Sequence, residues 1–208
     1  MNELNIEPKF IMGLRVTNEK VIKVVEEVMT QFNKEIIEAL EKRKCKAKSI
    51  TPKENNIIHV KQKNLELGYV GTPTKIDIGI IKNVIKEDFV PVVTPMGLDE
   101  LGKIYNINAD TAAGALAVNL KSRRLLLMTD VEGVYDKNKK LISEIRPADA
   151  EKLIDDDTIT EGMIPKIKTC INAVEDGVRG VVIIDGRKNH SILFELFSDK
   201  GSGTLIRK

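Results

Sequence analysis

This sequence predicts an α/β fold with a mainly parallel sheet and helices on both faces, and two observations carry the prediction. Short apolar, β-rich runs alternate with helix-patterned stretches through the second half of the chain. Several of those runs end in polar or glycine-containing loops that open helices, as strands do in crossover units. The chain has 208 residues, 42% of them hydrophobic and 31% charged, enough for a real core in one large domain or two small lobes.

Charge and cysteine usage exclude several classes. The formal net charge is +2, so nothing draws the whole chain to nucleic acid or a membrane surface. The basic clusters KSRR at 121–124 and EKRKCKAK at 41–48 read as solvated faces. Cys45 and Cys170 lie in no CxxC or Cys/His spacing, which argues against metal and redox sites and for a reducing, cytoplasmic setting. No apolar run reaches membrane-spanning length, and MNELNIEPKF is not a signal peptide.

The elements follow in order. After a Thr17–Asn18 cap, Val21, Val24, Val25, Val28, Phe32, Ile36 and Leu40 recur at helical spacing. The stripe is expected to pack against the core, with a dimer interface as the other use of so long a helix. Strand-like runs KAKSI, NNIIHVKQ and LGYVG come next, punctuated by Gly68, Gly71 and Pro73 as in hairpins. TKIDIGIIKNVIKED reads as a helix and DFVPVVTPMG as a β-rich run. A helix at about 109–120, the strand RRLLLMTD, the loop VEGVYDKNKK and the helix PADAEKLI follow. The helix IPKIKTCINAVEDG has Pro165 in its first turn and Gly177 at its end. GVVIIDG, HSILFELFS and GTLIRK complete the chain as strand, helix and strand.

In such a sheet, ligands bind where strand ends enter loops and helices. NINAD, TDVEGV, GMIPK and IIDGR stand at such places. Asn108 suits a helix N-cap, and Asp110 a first turn where a carboxylate favours the helix dipole. Asn106, both donor and acceptor, suits a small polar ligand. Asp130 and Gly133 could hold a ribose or phosphate, or form a plain turn. Lys166 opposes the dipole of its helix, at a local cost of some tenths of a kcal/mol, which a bound anion would explain. Neither GxGxxG nor a P-loop occurs.

Together GLRVT at 13–17, PVVTPMG, YNINADTAA, LLLMTDVEGVYD, TEGMIPKIKTCINAVEDGV and IIDGRKNHSILFELFSDKGSGTLI resemble the amino acid kinase family, in its branch that phosphorylates N-acetyl-L-glutamate. GLRVT with YNINADTAA speaks against branches acting on carbamate, aspartate or uridylate. The resemblance implies a three-layer α/β/α fold around a mainly parallel sheet. It makes 1–95 the remainder of an acetylglutamate-binding lobe and 96–208 an ATP-binding lobe. It implies that Arg15 and Asn106 bind acetylglutamate, that Asp110 orients the catalytic lysines, and that Lys166 stabilises the transferring phosphoryl group. Asp130, Val131, Glu132, Gly133, Val134, Tyr135, Ile159 and Thr160 would line ATP, which arrives with Mg²⁺. A homo-oligomer is expected, because a remnant of two lobes would associate through its uncovered surfaces.

Two departures shape the expectation. The family opens on a strand bearing a lysine and a Gly-Gly loop, whereas here GLRVT begins at residue 13 and no Gly-Gly pair occurs. The chain is therefore expected to be truncated at its N-terminus, without one catalytic lysine and the first phosphate cradle. Each such stabiliser is worth roughly 3 kcal/mol of barrier, so a chain without them would turn over poorly. The alternative role is a non-catalytic nucleotide- or arginine-binding remnant or partner subunit. Second, Glu195 and Gly201 match an arginine-feedback site, but Val182 stands where such enzymes carry a histidine. His190 is expected to be a polar residue at a helix start.

Overall fold

A computed structural model describes residues 9–11, 14–160, 162–198 and 201–208. The segment MNELNIEP, Gly13 of GLRVT, Glu161 before the Lys166 helix, and Asp199 and Lys200 near Gly201 lie outside the described residues. The chain divides into two compact units, Met1–Ala112 and Ala113–Lys208. Among the described residues no helix is long and apolar enough to cross a membrane.

In the first unit, β1 (Phe10–Ile11) and β2 (Leu14–Arg15) form a short antiparallel hairpin. α1 (Glu19–Glu41) starts at Asn18, whose Oδ1 accepts the N–H groups of Lys20 and Val21, both at 3.0 Å. Thr17 takes no part in the cap. It is fully buried, donates its Oγ1–H to Arg15 O and bridges Gly68. Along α1 the sheet-facing seam runs through Ile22 and Asn33, and Asn33 Nδ2 donates to Val92 O at 2.8 Å. The apolar stripe divides: Val21 is buried and Val24, Val25, Ile36 and Leu40 are half-buried, as core packing expects, whereas Val28 and Phe32 are 55% and 57% exposed.

β3 (Ala47–Ile50) leads through α2 (Pro52–Asn55) to β4 (Ile58–Gln62), β5 (Gly71–Ile76), α3 (Ile78–Lys86), β6 (Val90–Val93), β7 (Met96–Leu98) and β8 (Ile104–Asn106). β3 pairs with β6 in parallel, and the other strands form a sheet in the order β5-β4-β7-β8. The hairpin is β4–β5, whereas β3 crosses over to β6. α3 begins later than its pattern suggests, because Lys75 and Ile76 are held in the ladder opposite His59 and Ile58. Asp77 then caps Gly79 N at 2.9 Å.

α4 (Ala109–Asn119) carries the chain into the second unit. There follow β9 (Leu125–Thr129), β10 (Glu144–Ile145), α5 (Pro147–Asp155), α6 (Met163–Glu175), β11 (Val181–Asp185), α7 (Ser191–Phe197) and β12 (Thr204–Ile206). The sheet order is β10-β12-β11-β9. Parallel ladders join β9 to β11 and β10 to β12, and an antiparallel one joins β11 to β12. Val181 to Ile184 have no exposed surface, which requires cover on both faces. Val181 and Ile183 join a core with Ile167, Cys170, Ile171 and Val174 of α6. Alternation turns Val182 and Ile184 to the other face, and α7 packs on β11. His190 precedes α7 at φ 62° and makes no side-chain cap.

Candidate active site

The expected acetylglutamate residues fall in the first unit, and one segment connects them. Thr17, two residues past Arg15, donates its N–H to Leu67 O at 2.9 Å and accepts Tyr69 N–H at 2.6 Å. On the other side of the same segment, Val70 bridges Asn106, whose N–H donates to Tyr69 O at 2.9 Å. Two separate bridges thus attach Thr17 and Asn106 to the stretch 67–70, with Arg15 two residues before Thr17. Gly68 makes the approach possible: φ is 69°, and a Cβ there would strike the main-chain oxygen of Thr17. Arg15 lies under cation–π contact with Phe10, 4.8 Å from its ring centre. Tyr69 and Tyr105 stack obliquely beside Asn106, with ring centres 5.6 Å apart.

NINAD divides its labour much as its residue types suggest. Asn108 Oδ1 accepts Thr111 N–H at 3.0 Å and Thr111 Oγ1–H at 3.2 Å, the capping role read from its position. Asp110 is half-buried in the first turn of α4, and Asn106 is half-buried at the end of β8.

In the second unit, Thr129 and Asp185 stand opposite each other at the carboxyl ends of β9 and β11. The loop after β9 presents Asp130, Val131, Glu132 and Tyr135 on the surface, with Tyr135 Oη donating to Glu132 Oε2 at 3.1 Å. Val134 and Ile159 are 2% and 3% exposed core residues, so any nucleotide contact there would use main chain. Gly133 is buried and Thr160 exposed. Lys166 is half-buried in the first turn of α6.

Glu195 is buried, and both its oxygens are engaged. Arg124 Nη1 donates to Oε1 at 2.7 Å and Ser202 N–H to Oε2 at 3.1 Å. Gly201, at φ 65°, brings the loop against that carboxylate. A guanidinium from outside would meet one already in place. Nothing in the local sequence signals this bond, because its partners are 71 positions apart.

IIDGR carries a site pair that its local pattern does not announce. There Asp185 takes Arg187 Nε and Nη2 at 3.0 and 2.9 Å, and Arg187 N–H at 2.9 Å. The Arg187 guanidinium and its main-chain N–H hold the Asp185 carboxyl down at about 2. The signal that could have found it is a strand-ending acid two residues before an arginine.

Grooves elsewhere hold none of these groups. One of about 980 Å³ lies between α1 and α2, lined by Val28, Phe32, Lys53 and Glu54 among others, and is a surface feature of the first unit. Among the described residues no cluster of three or more His, Cys, Asp or Glu could hold a metal ion.

Comparison with known proteins gives the family. The profile of the amino acid kinase family matches residues 1–185. An acetylglutamate kinase of Pelagibacter ubique (strain HTCC1062) is 58% identical over 206 residues, 99% of this chain and 72% of that protein. Another from Nitrobacter hamburgensis (strain DSM 10229 / NCIMB 13809 / X14) is 43% identical, covering 100% of this chain and 74% of its own length. The crystal structure of smu.665 from Streptococcus mutans UA159 superposes with a TM-score of 0.87 at 30% identity, over all of this chain and 80% of that one. With strand ends, caps and relatives in agreement, the chain belongs to the amino acid kinase family.

Proposed function

We propose that this chain transfers the γ-phosphoryl group of ATP to the side-chain carboxylate of N-acetyl-L-glutamate, a step of arginine biosynthesis. A carboxylate oxygen forms the new bond to phosphorus, the β–γ bridging P–O bond breaks, and ADP leaves with the electron pair. The observation that carries this reading is the 58% identity to an acetylglutamate kinase across 99% of the chain. The bridges that attach Asn106 and Thr17, two residues past Arg15, to the same stretch 67–70 support it.

Each residue's role follows from its chemistry. Arg15 grips a substrate carboxylate with a planar fork, and Asn106 offers a donor and an acceptor beside it. Asp110 orients lysine ammonium groups. Lys166 offsets charge on the transferring phosphoryl group, a step that depends on positioning and electrostatics more than covalent chemistry. Asp130 to Tyr135, with Ile159 and Thr160, line ATP, and Mg²⁺ arrives bound to it as part of the substrate. The reaction takes place in the cytoplasm. The protein works as a homo-oligomer, for which the exposed Val28–Phe32 stripe of α1 offers an apolar face.

The test is ADP release from MgATP by the purified chain, with and without N-acetyl-L-glutamate. Acetylglutamate-dependent release is expected to be slow, because this sequence has no Gly-Gly pair to cradle the phosphates, with Lys166→Ala lowering kcat roughly 100-fold to 1,000-fold further. Folded protein that binds ATP but releases no ADP would instead leave a nucleotide-binding subunit.

A further inference from the structure

The turn after β11 is tied to the loop after β9. Gly186 N–H donates to Thr129 O at 2.7 Å, and Lys188 Nζ lies 3.9 Å from Glu132 Oε1. The parallel strands behind them end here, where open α/β sheets take their ligands. Asp185 sits at the base of this edge with 8% of its surface exposed. A turn needs only the main-chain bond from Arg187 N–H, which asparagine or serine could accept as well. A carboxylate at this depth costs desolvation, and the guanidinium fork offsets that cost. The fork is thereby held in one orientation while the Arg187 side chain stays 67% exposed.

Asp130 and Glu132, on the facing loop, act on Arg187 through their charge, yet among the described residues neither forms an ion pair with it. An anion entering between the loops would meet carboxylates on one wall and this guanidinium on the other. Its Nη1 makes no hydrogen bond among the described residues. We propose that Arg187 recognises a phosphate group of the bound nucleotide and that Asp185 is the positioning residue that aims it. This rests on the nucleotide role proposed above for residues 130–135.

Calorimetric titration of the full chain with ATP and with adenosine tests it. Arg187→Ala is expected to weaken ATP binding about tenfold or more, as loss of a charged hydrogen bond does, and to leave adenosine binding within about twofold. Arg187→Lys keeps the charge without the fork and falls between. Asp185→Asn weakens ATP binding in the same selective way. Equal loss of ATP and adenosine would mark a structural turn and overturn the inference. So would unchanged ATP affinity. Folded wild-type chain that binds neither ligand would remove the nucleotide reading itself, and the inference with it.

Discussion

At the scale of single residues, Thr204 shows how much one hydroxyl can hold. Its Oγ1 accepts Val134 N–H at 2.8 Å and donates to Ile142 O at 2.6 Å, with no exposed surface. Thr204→Val keeps the shape and strands two buried main-chain groups. Urea denaturation should show a loss of about 1–3 kcal/mol, with Thr204→Ser largely restoring it. Asp185 makes the matching statement about pH. Its carboxyl is held at about 2 against an ordinary 3.8, so its contribution is present above pH 3.8 and lost as pH falls through about 2. Acid titration of stability should therefore show a limb in that window that Asp185→Asn abolishes. Two caps were legible in the sequence, since Asn18 and Asn108 each act on the turn that follows, whereas Asp77 read as part of its helix and proves to cap it. Bonds such as Arg124 to Glu195 or Thr204 to Val134 were not, because no local pattern pairs residues about 70 positions apart.

At the scale of elements, α1 separates what periodicity tells from what it leaves out. Helical spacing announces an apolar stripe, but burial depends on which face the neighbouring strands take up. Here they take the Ile22–Asn33 face, so Val28 and Phe32 remain exposed. Val28→Ser with Phe32→Ser should leave the stability of the single chain within about 0.5 kcal/mol per site. Sedimentation should show the proposed homo-oligomer in the wild type and its dissociation in this variant. A buried counterpart behaves differently: Ile171→Ala on α6 should cost about 2–5 kcal/mol. Short strands defeat pattern reading for another reason. β10 is two residues long and exists because β12 lies beside it.

At the scale of the whole molecule, each unit carries its own set of strand ends. In the first, Thr17 and Asn106 bridge to the stretch 67–70, and in the second the ends of β9 and β11 carry Thr129 and the Asp185–Arg187 pair. The α/β class was legible from alternation alone, and two of the loops expected at strand ends do follow β9 and β11. The order of the sheets was not, because β12 follows every other strand in the chain yet lies between β10 and β11. During synthesis, the piece that closes this sheet is the last of its strands to leave the ribosome. Until residues 204–206 emerge, β11 offers an open edge to chaperones, proteases and other nascent chains, and β10 has no partner to form against. A ribosome stalled just short of Thr204 would release a second unit with nothing to fill its middle, so quality control can recognise an incomplete copy from that gap.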